Sequence, residues 1–156
     1  MTDYRIASAL RNLALSEVSS WVVLIVDDEP DNRAIAEKIL SFNGAKVYTA
    51  NDGKEGLSLL ETIKPSFVLL DLSMPVIDGW EMFKKIRDND VTHHIPVIAL
   101  TAHAMTGDRE RVLQAGFDGY IAKPFRMSTF MGEILRCFRE VLEQNRYARG
   151  SQSSEK

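Results

Sequence analysis

Four short apolar runs along this chain each close on a polar residue capable of chemistry. Val22-Val23-Leu24-Ile25-Val26 runs into Asp27-Asp28, and Phe67-Val68-Leu69-Leu70 runs into Asp71. Val97-Ile98-Ala99-Leu100 runs into Thr101, and Tyr120-Ile121-Ala122 runs into Lys123-Pro124. Runs of this length, rich in branched residues and separated by helical patterns, read as parallel strands buried on both faces. The pattern from about residue 22 to 144 resolves into five strand-then-helix units. Strands are expected at 22–26, 45–49, 66–71, 96–100 and 119–122, and helices at 31–42, 54–63, 79–87, 107–115 and 129–144. Turn chemistry agrees. Asn43-Gly44 and Gly116 stand where helix C-termini need left-handed residues, and Asp78 with Glu81 resembles a capping box. Strict alternation implies right-handed crossovers and an α/β fold with a parallel sheet covered on both faces.

The first 20 residues fall outside this rhythm. Ile6, Ala9, Leu10 and Leu13 follow helical spacing, so a short amphipathic helix is expected there. It reads first as a helix packed on its own domain and second as a dimer or partner contact. The C-terminal stretch from Ala148 is small and polar, the composition of a flexible tail. The expected organisation is an N-terminal extension at 1–20, one domain at 21–145 and a tail at 146–156.

Composition narrows the function. A length of 156 residues fits one domain with a sizeable core. A net charge of −3 provides no overall attraction to nucleic acid or an anionic membrane. The single cysteine, Cys137, rules out an internal disulfide and suits a reducing compartment. With no spanning-length apolar stretch and no signal-peptide core, the cytoplasm is the expected location.

Parallel sheets bind ligands outside the carboxyl ends of their strands, so the four polar termini should share one crevice. Asp27-Asp28-Glu29-Pro30-Asp31 follows the first strand where a dinucleotide fold carries glycines. Four acids there would repel a phosphate unless a cation intervened, and Mg²⁺ favours such oxygen ligands. The turn alone reads equally as a metal half-site or a solvated acidic loop. Asp71 shifts the balance, because a strand-end carboxylate can accept a phosphoryl group as an aspartyl phosphate. Thr101 can donate a hydrogen bond to that group, and Lys123 can supply a point charge. His93 and His94 precede the fourth strand, away from this crevice.

These residues carry a family resemblance. Val26-Asp27-Asp28-Glu29, Leu70-Asp71-Leu72-Ser73-Met74-Pro75 with Asp78-Gly79, Leu100-Thr101-Ala102 and Tyr120-Ile121-Ala122-Lys123-Pro124 closely resemble the receiver domain of bacterial two-component response regulators. The resemblance implies a flavodoxin-like, doubly wound five-stranded sheet in the order 2-1-3-4-5. It makes Asp71 the phospho-acceptor and a Mg²⁺ ligand, Asp28 a direct Mg²⁺ ligand and Asp27 a ligand largely through metal-bound water. The Ser73 backbone carbonyl completes the protein's share of the metal site, and Mn²⁺ is expected to substitute. Lys123 pairs with the phosphoryl group and precedes a cis proline bond. Thr101 and Tyr120 form the switch, which acts on the helices flanking the fifth strand. Ser73 and His103 take the positions that tune phosphate lifetime. The donor is a histidine kinase or histidine phosphotransfer protein, and the output is contact with a downstream protein. Oligomeric state is left open, a homodimer included.

Rival readings differ at identifiable positions. A haloacid-dehalogenase-type phosphatase also uses a strand-end aspartate and Mg²⁺, but it requires a second aspartate two residues on, where this chain has Ser73. A receiver-like module working without phosphorylation is the binding-class alternative, and a phosphate sink or relay intermediate is the third. The chain is therefore expected to be a switch that catalyses only its own phosphorylation and dephosphorylation.

Overall fold

The computed structural model describes residues 4–102 and 107–152. Its elements run in order as helix α1 (Tyr4–Leu15), a 3₁₀ turn (Val18–Ser20), strand β1 (Val22–Val26), α2 (Pro30–Phe42), β2 (Lys46–Ala50), α3 (Gly53–Leu60), β3 (Phe67–Asp71), α4 (Gly79–Asp88), β4 (Val97–Thr101), α5 (Asp108–Gln114), β5 (Gly119–Ala122) and α6 (Phe130–Gln152). The five strands form one all-parallel sheet in the order β2-β1-β3-β4-β5. Both the alternation and the expected strand order are found.

Strand side chains alternate between two cores, as period-2 geometry requires. Val23, Ile25, Phe67, Leu69, Ile98 and Leu100 face one core with α1, α2 and α6. Leu24, Val26, Val68, Leu70, Val97 and Ala99 face the other, which α3, α4 and α5 cover. Burial on both faces accounts for the nearly uninterrupted apolar runs.

Local signals set the helix limits. Asp52 Oδ1 accepts from the Glu55 amide at 2.8 Å, and Asp78 Oδ1 accepts from the Glu81 amide at 2.8 Å. Each carboxylate satisfies a donor that the first helical turn leaves orphaned. Gly44 and Gly116 adopt φ of +98° and +105° after α2 and α5, as their sequence positions suggested.

Two outcomes concern the ends. The N-terminal stretch is a helix packed on its own domain: Ile6, Leu10 and Leu13 are buried with Trp21, Phe138 and Val141. The expectation for the C-terminus needs correction. The last helix does not stop near 144–145 but continues to Gln152, through most of the stretch assigned to a tail. From Glu140 to Arg149 the chain contains no proline or glycine and several strong helix formers, so propagation from an established helix outweighs the small polar composition beyond.

Candidate functional site

The sheet delivers its polar strand ends to one place. β1 and β3 are direct neighbours, pairing Val26 with Leu70, so Asp27 and Asp71 emerge side by side. Ligand oxygens of Asp27, Asp28 and Asp71 all lie within 4.8 Å of one another. Lys123, just past β5, reaches back over the sheet. Its Nζ sits 2.7 Å from Asp27 Oδ2 and 3.2 Å from Asp71 Oδ2. The backbone follows the same path, with the Lys123 amide donating to the Thr101 carbonyl at 2.8 Å. The Lys123-Pro124 bond is cis.

Backbone amides orient the carboxylates. The Glu29 amide donates to Asp27 Oδ1 at 2.9 Å, and the Ser73 amide donates to Asp71 Oδ1 at 3.1 Å. In both loops the residue two past the aspartate fixes its side chain. Asp27 Oδ2 is buried and accepts no well-directed hydrogen bond, although the Lys123 ammonium lies beside it. Fully ionised, three carboxylates against one ammonium would leave two uncompensated negative charges, and every available donor is an oxygen. This set suits a hard divalent cation such as Mg²⁺.

The titration of the cluster reflects the same crowding. Burial, then the charge of Asp27, pushes Asp71 up to about 7 against the opposing pull of Lys123 and the Ser73 amide. Burial acts to lower the Lys123 pKa, but the Asp27 hydrogen bond and charge, with Asp71, outweigh it and hold the ammonium above its ordinary value. A cation among these oxygens would favour ionised Asp71, the form that can act as a nucleophile.

Other expected site residues fall into place unevenly. Thr101 ends β4 and is buried, while Tyr120 in β5 is half-buried against the core under α4 and α5. The Ser73 side chain is exposed beside Asp71. His103 lies outside the described residues.

Sequence reasoning missed two supports. Arg33 Nη1 on α2 donates to the Asp27 carbonyl at 2.7 Å, clamping the acidic turn. Gly79 begins α4 against the backbone of Asp71 and Leu72, where a Cβ would lie 2.6 Å from Leu72 Cα. The Asp78-Gly79 pair thus serves both capping and close approach, and only the capping was legible.

Comparison with known proteins agrees with this geometry. Residues 23–135 match the profile of the response regulator receiver domain. The chain belongs to this family. It is 37% identical over 112 residues to the polar-differentiation response regulator DivK of Brucella anthropi, a match covering 72% of this chain and 91% of that one. Among solved structures, Vibrio cholerae chemotaxis regulator CheY4 superposes with a TM-score of 0.70 at 28% identity, covering 75% of this chain and 98% of that one. The receiver domain of sensor histidine kinase PA1611 from Pseudomonas aeruginosa, solved with a magnesium ion coordinated in its active-site cleft, gives 0.67 at 35% identity. That match covers 76% of this chain and 97% of the other. The protein is accordingly a two-component signalling protein rather than a classical enzyme, and receiver domains of this kind bind Mg²⁺ at the acidic cluster. Among the described residues, no helix is long and apolar enough to cross a membrane.

Proposed function

We propose that Asp71 is the phospho-acceptor of a switch driven by a histidine kinase or histidine phosphotransfer protein. The observation that carries this reading is the convergence of Lys123 Nζ on Asp71 and Asp27, within a group of three carboxylates. Asp71 attacks the phosphorus, the phosphorus–nitrogen bond of the donor phosphohistidine breaks, and the imidazole leaves with the electron pair. Asp28, Asp27, Asp71 and the Ser73 carbonyl would hold Mg²⁺, or Mn²⁺ in its place. When bound, the ion supplies the charge neutralisation that phosphoryl transfer requires. Lys123 exchanges its contact with Asp71 for one with the incoming phosphoryl oxygens.

Thr101 and Tyr120 carry the signal outward. Thr101 turns its hydroxyl to the phosphoryl group, and Tyr120 moves further inward beside it. The α5–β5–α6 face then changes shape, and a downstream protein reads the change. Dephosphorylation by water is slow and intrinsic, tuned by Ser73 and His103.

The test is intact mass after incubation with acetyl phosphate and Mg²⁺. One phosphate adduct is expected in the wild type, none in Asp71→Asn and none with excess EDTA. Mn²⁺ should restore the adduct after chelation. Absence of an adduct, together with failure to bind beryllofluoride, would leave a binding module that works without phosphorylation.

A further inference from the structure

Among the described residues, Asp28 is the least supported acid of the crevice. Asp27 is held by the Glu29 amide at 2.9 Å and Asp71 by the Ser73 amide at 3.1 Å, and Lys123 lies against both. The Asp28 carboxylate makes no hydrogen bond or ion pair among the described residues. Its ligand oxygen nevertheless lies within 4.8 Å of those of Asp27 and Asp71. Its place is therefore set by the backbone on either side of it.

That backbone is pinned on both sides. The Asp27 amide donates to the Ala50 carbonyl at 3.2 Å, and the Glu29 amide donates to Asp27 Oδ1. Between these anchors, the Asp27 carbonyl and the Asp28 amide belong to one planar peptide unit. Arg33 Nη1 donates to that carbonyl at 2.7 Å. The contact fixes the rotation of the plane, and with it the direction in which the Asp28 side chain leaves the chain. Arg33 is half-buried, and its own amide donates to the Glu29 carbonyl at 3.1 Å in the first turn of α2. The helix thus sets where the guanidinium starts. Four acids stand in the adjoining turn at 27–31, yet Arg33 forms no ion pair with a carboxylate among the described residues. Its contact is with the main chain.

We propose that Arg33 is a positioning residue for the metal site, presenting the Asp28 carboxylate to Mg²⁺ through its hold on the Asp27–Asp28 peptide. This role rests on the acidic cluster being the Mg²⁺ site. The two roles open to a cation beside that site have opposite signs. Acting by charge, Arg33 would repel a divalent cation, and its removal would tighten binding. Acting through the peptide, its removal frees one ligand and weakens binding. The weakening should be about tenfold, the low end for contacts that orient metal ligands.

The test is a Mg²⁺ titration of the full chain followed by backbone amide NMR shifts. Arg33→Met keeps the aliphatic stem and the helix preference but has no donor. Its affinity for Mg²⁺ should fall about tenfold. Without metal, its Asp28 and Glu29 amides should shift while the Ser73 amide does not. With acetyl phosphate, the half-saturating Mg²⁺ concentration should rise by the same factor, and the maximal rate of adduct formation should stay within about twofold. Arg33→Gln, neutral and too short to reach the carbonyl, should weaken Mg²⁺ likewise and keeps the test decisive should the methionine variant not fold. Urea midpoints establish that the compared proteins are folded. A folded variant that binds Mg²⁺ as tightly as the wild type, or more tightly, overturns the positioning role alone. A wild type whose crevice amides do not respond to Mg²⁺ overturns the metal site and this role with it.

Discussion

The two ends of this sheet are built on opposite terms. At the carboxyl ends, β1 and β3 deliver Asp27 and Asp71 into a crevice where like charges crowd and burial raises Asp71 to about 7. At the amino ends, Trp21, Phe67 and Phe138 form a ring of edge-to-face contacts with centroids 5.2–5.8 Å apart. The Trp21 indole N–H reaches Ser16 Oγ at 3.1 Å, so even its polar atom is satisfied. α1 then lays Ile6, Leu10 and Leu13 over this floor. One end is stable because its groups are complementary. The other is poised because they are not, and a cation and a phosphoryl group are what would complement them.

The largest stability effect is expected at the floor. Trp21→Ala removes a buried indole and leaves a cavity that rigid strands cannot close. A loss of about 3–5 kcal/mol is expected, a large share of a domain's total stability, read as a lower urea midpoint. Trp21→Phe keeps most of the volume and should lose less. Beryllofluoride affinity of the folded fraction should stay near wild type, because no Trp21 atom touches the crevice. A parallel loss of affinity would show that the two ends are not separable.

At the crevice the expected sign reverses. Folded Asp71 holds its proton to about pH 7, whereas an unfolded aspartate releases it near its ordinary 3.8. Between those values unfolding releases a proton, so this group makes metal-free stability fall as pH rises from about 4 to about 7. Above 7 the penalty is complete and flat. Asp71→Asn removes it while keeping an acceptor for the Ser73 amide, so the variant should be more stable than wild type at pH 7. The gain should be on the order of 2–4 kcal/mol and should vanish near pH 4. Asp118, pushed up to about 6 by burial against the pull of Arg87 and the Val97 amide, contributes a similar slope from about 4 to 6. The variant should retain that part. Denaturant melts at half-unit pH steps would measure the difference, and an Asp71→Asn variant less stable than wild type at pH 7 would refute the account. The same proton competes with Mg²⁺, so calorimetry should show metal affinity falling about tenfold per pH unit below 7 and levelling above it.

Much of this contrast was readable beforehand, for unequal reasons. Asp27, Asp28, Asp71, Thr101 and Lys123 were legible because parallel strands project their terminal residues to one edge, a consequence of topology alone. The floor was less legible. Trp21 gives no periodic signal, and its partners Phe67 and Phe138 lie 46 and 117 positions away in sequence, so only the folded sheet brings them together. Arg33 carries no local signal of its contact with the Asp27 carbonyl, because the two meet only once the turn between β1 and α2 has formed. The reach of α6 to Gln152 was misjudged because composition near Ala148 was weighed above propagation from a helix already formed.

The smallest expected effect sharpens the contrast within the crevice itself. Val76, in the loop between Asp71 and Asp78, holds φ at +69° and is 84% exposed. A β-branched residue is strained there, because its Cβ crowds the carbonyl oxygen. Exposure on this scale means that burial recovers little of the cost. Glycine adopts the same conformation freely, although it gives up entropy on folding. Val76→Gly should therefore stabilise the protein by about 1 kcal/mol, raising Tm by about 2–4 °C. The capped start of α4 and the Ser73 amide on Asp71 flank this loop, and both anchors join a backbone amide to an aspartate carboxylate, without using the Val76 side chain. Phosphate uptake from acetyl phosphate should consequently stay within about twofold of wild type, a barrier change under about 0.5 kcal/mol. A gain in stability with a large fall in uptake would instead mean that the left-handed valine holds the Asp71 loop in its reactive shape, making strain at this end a working part of the site.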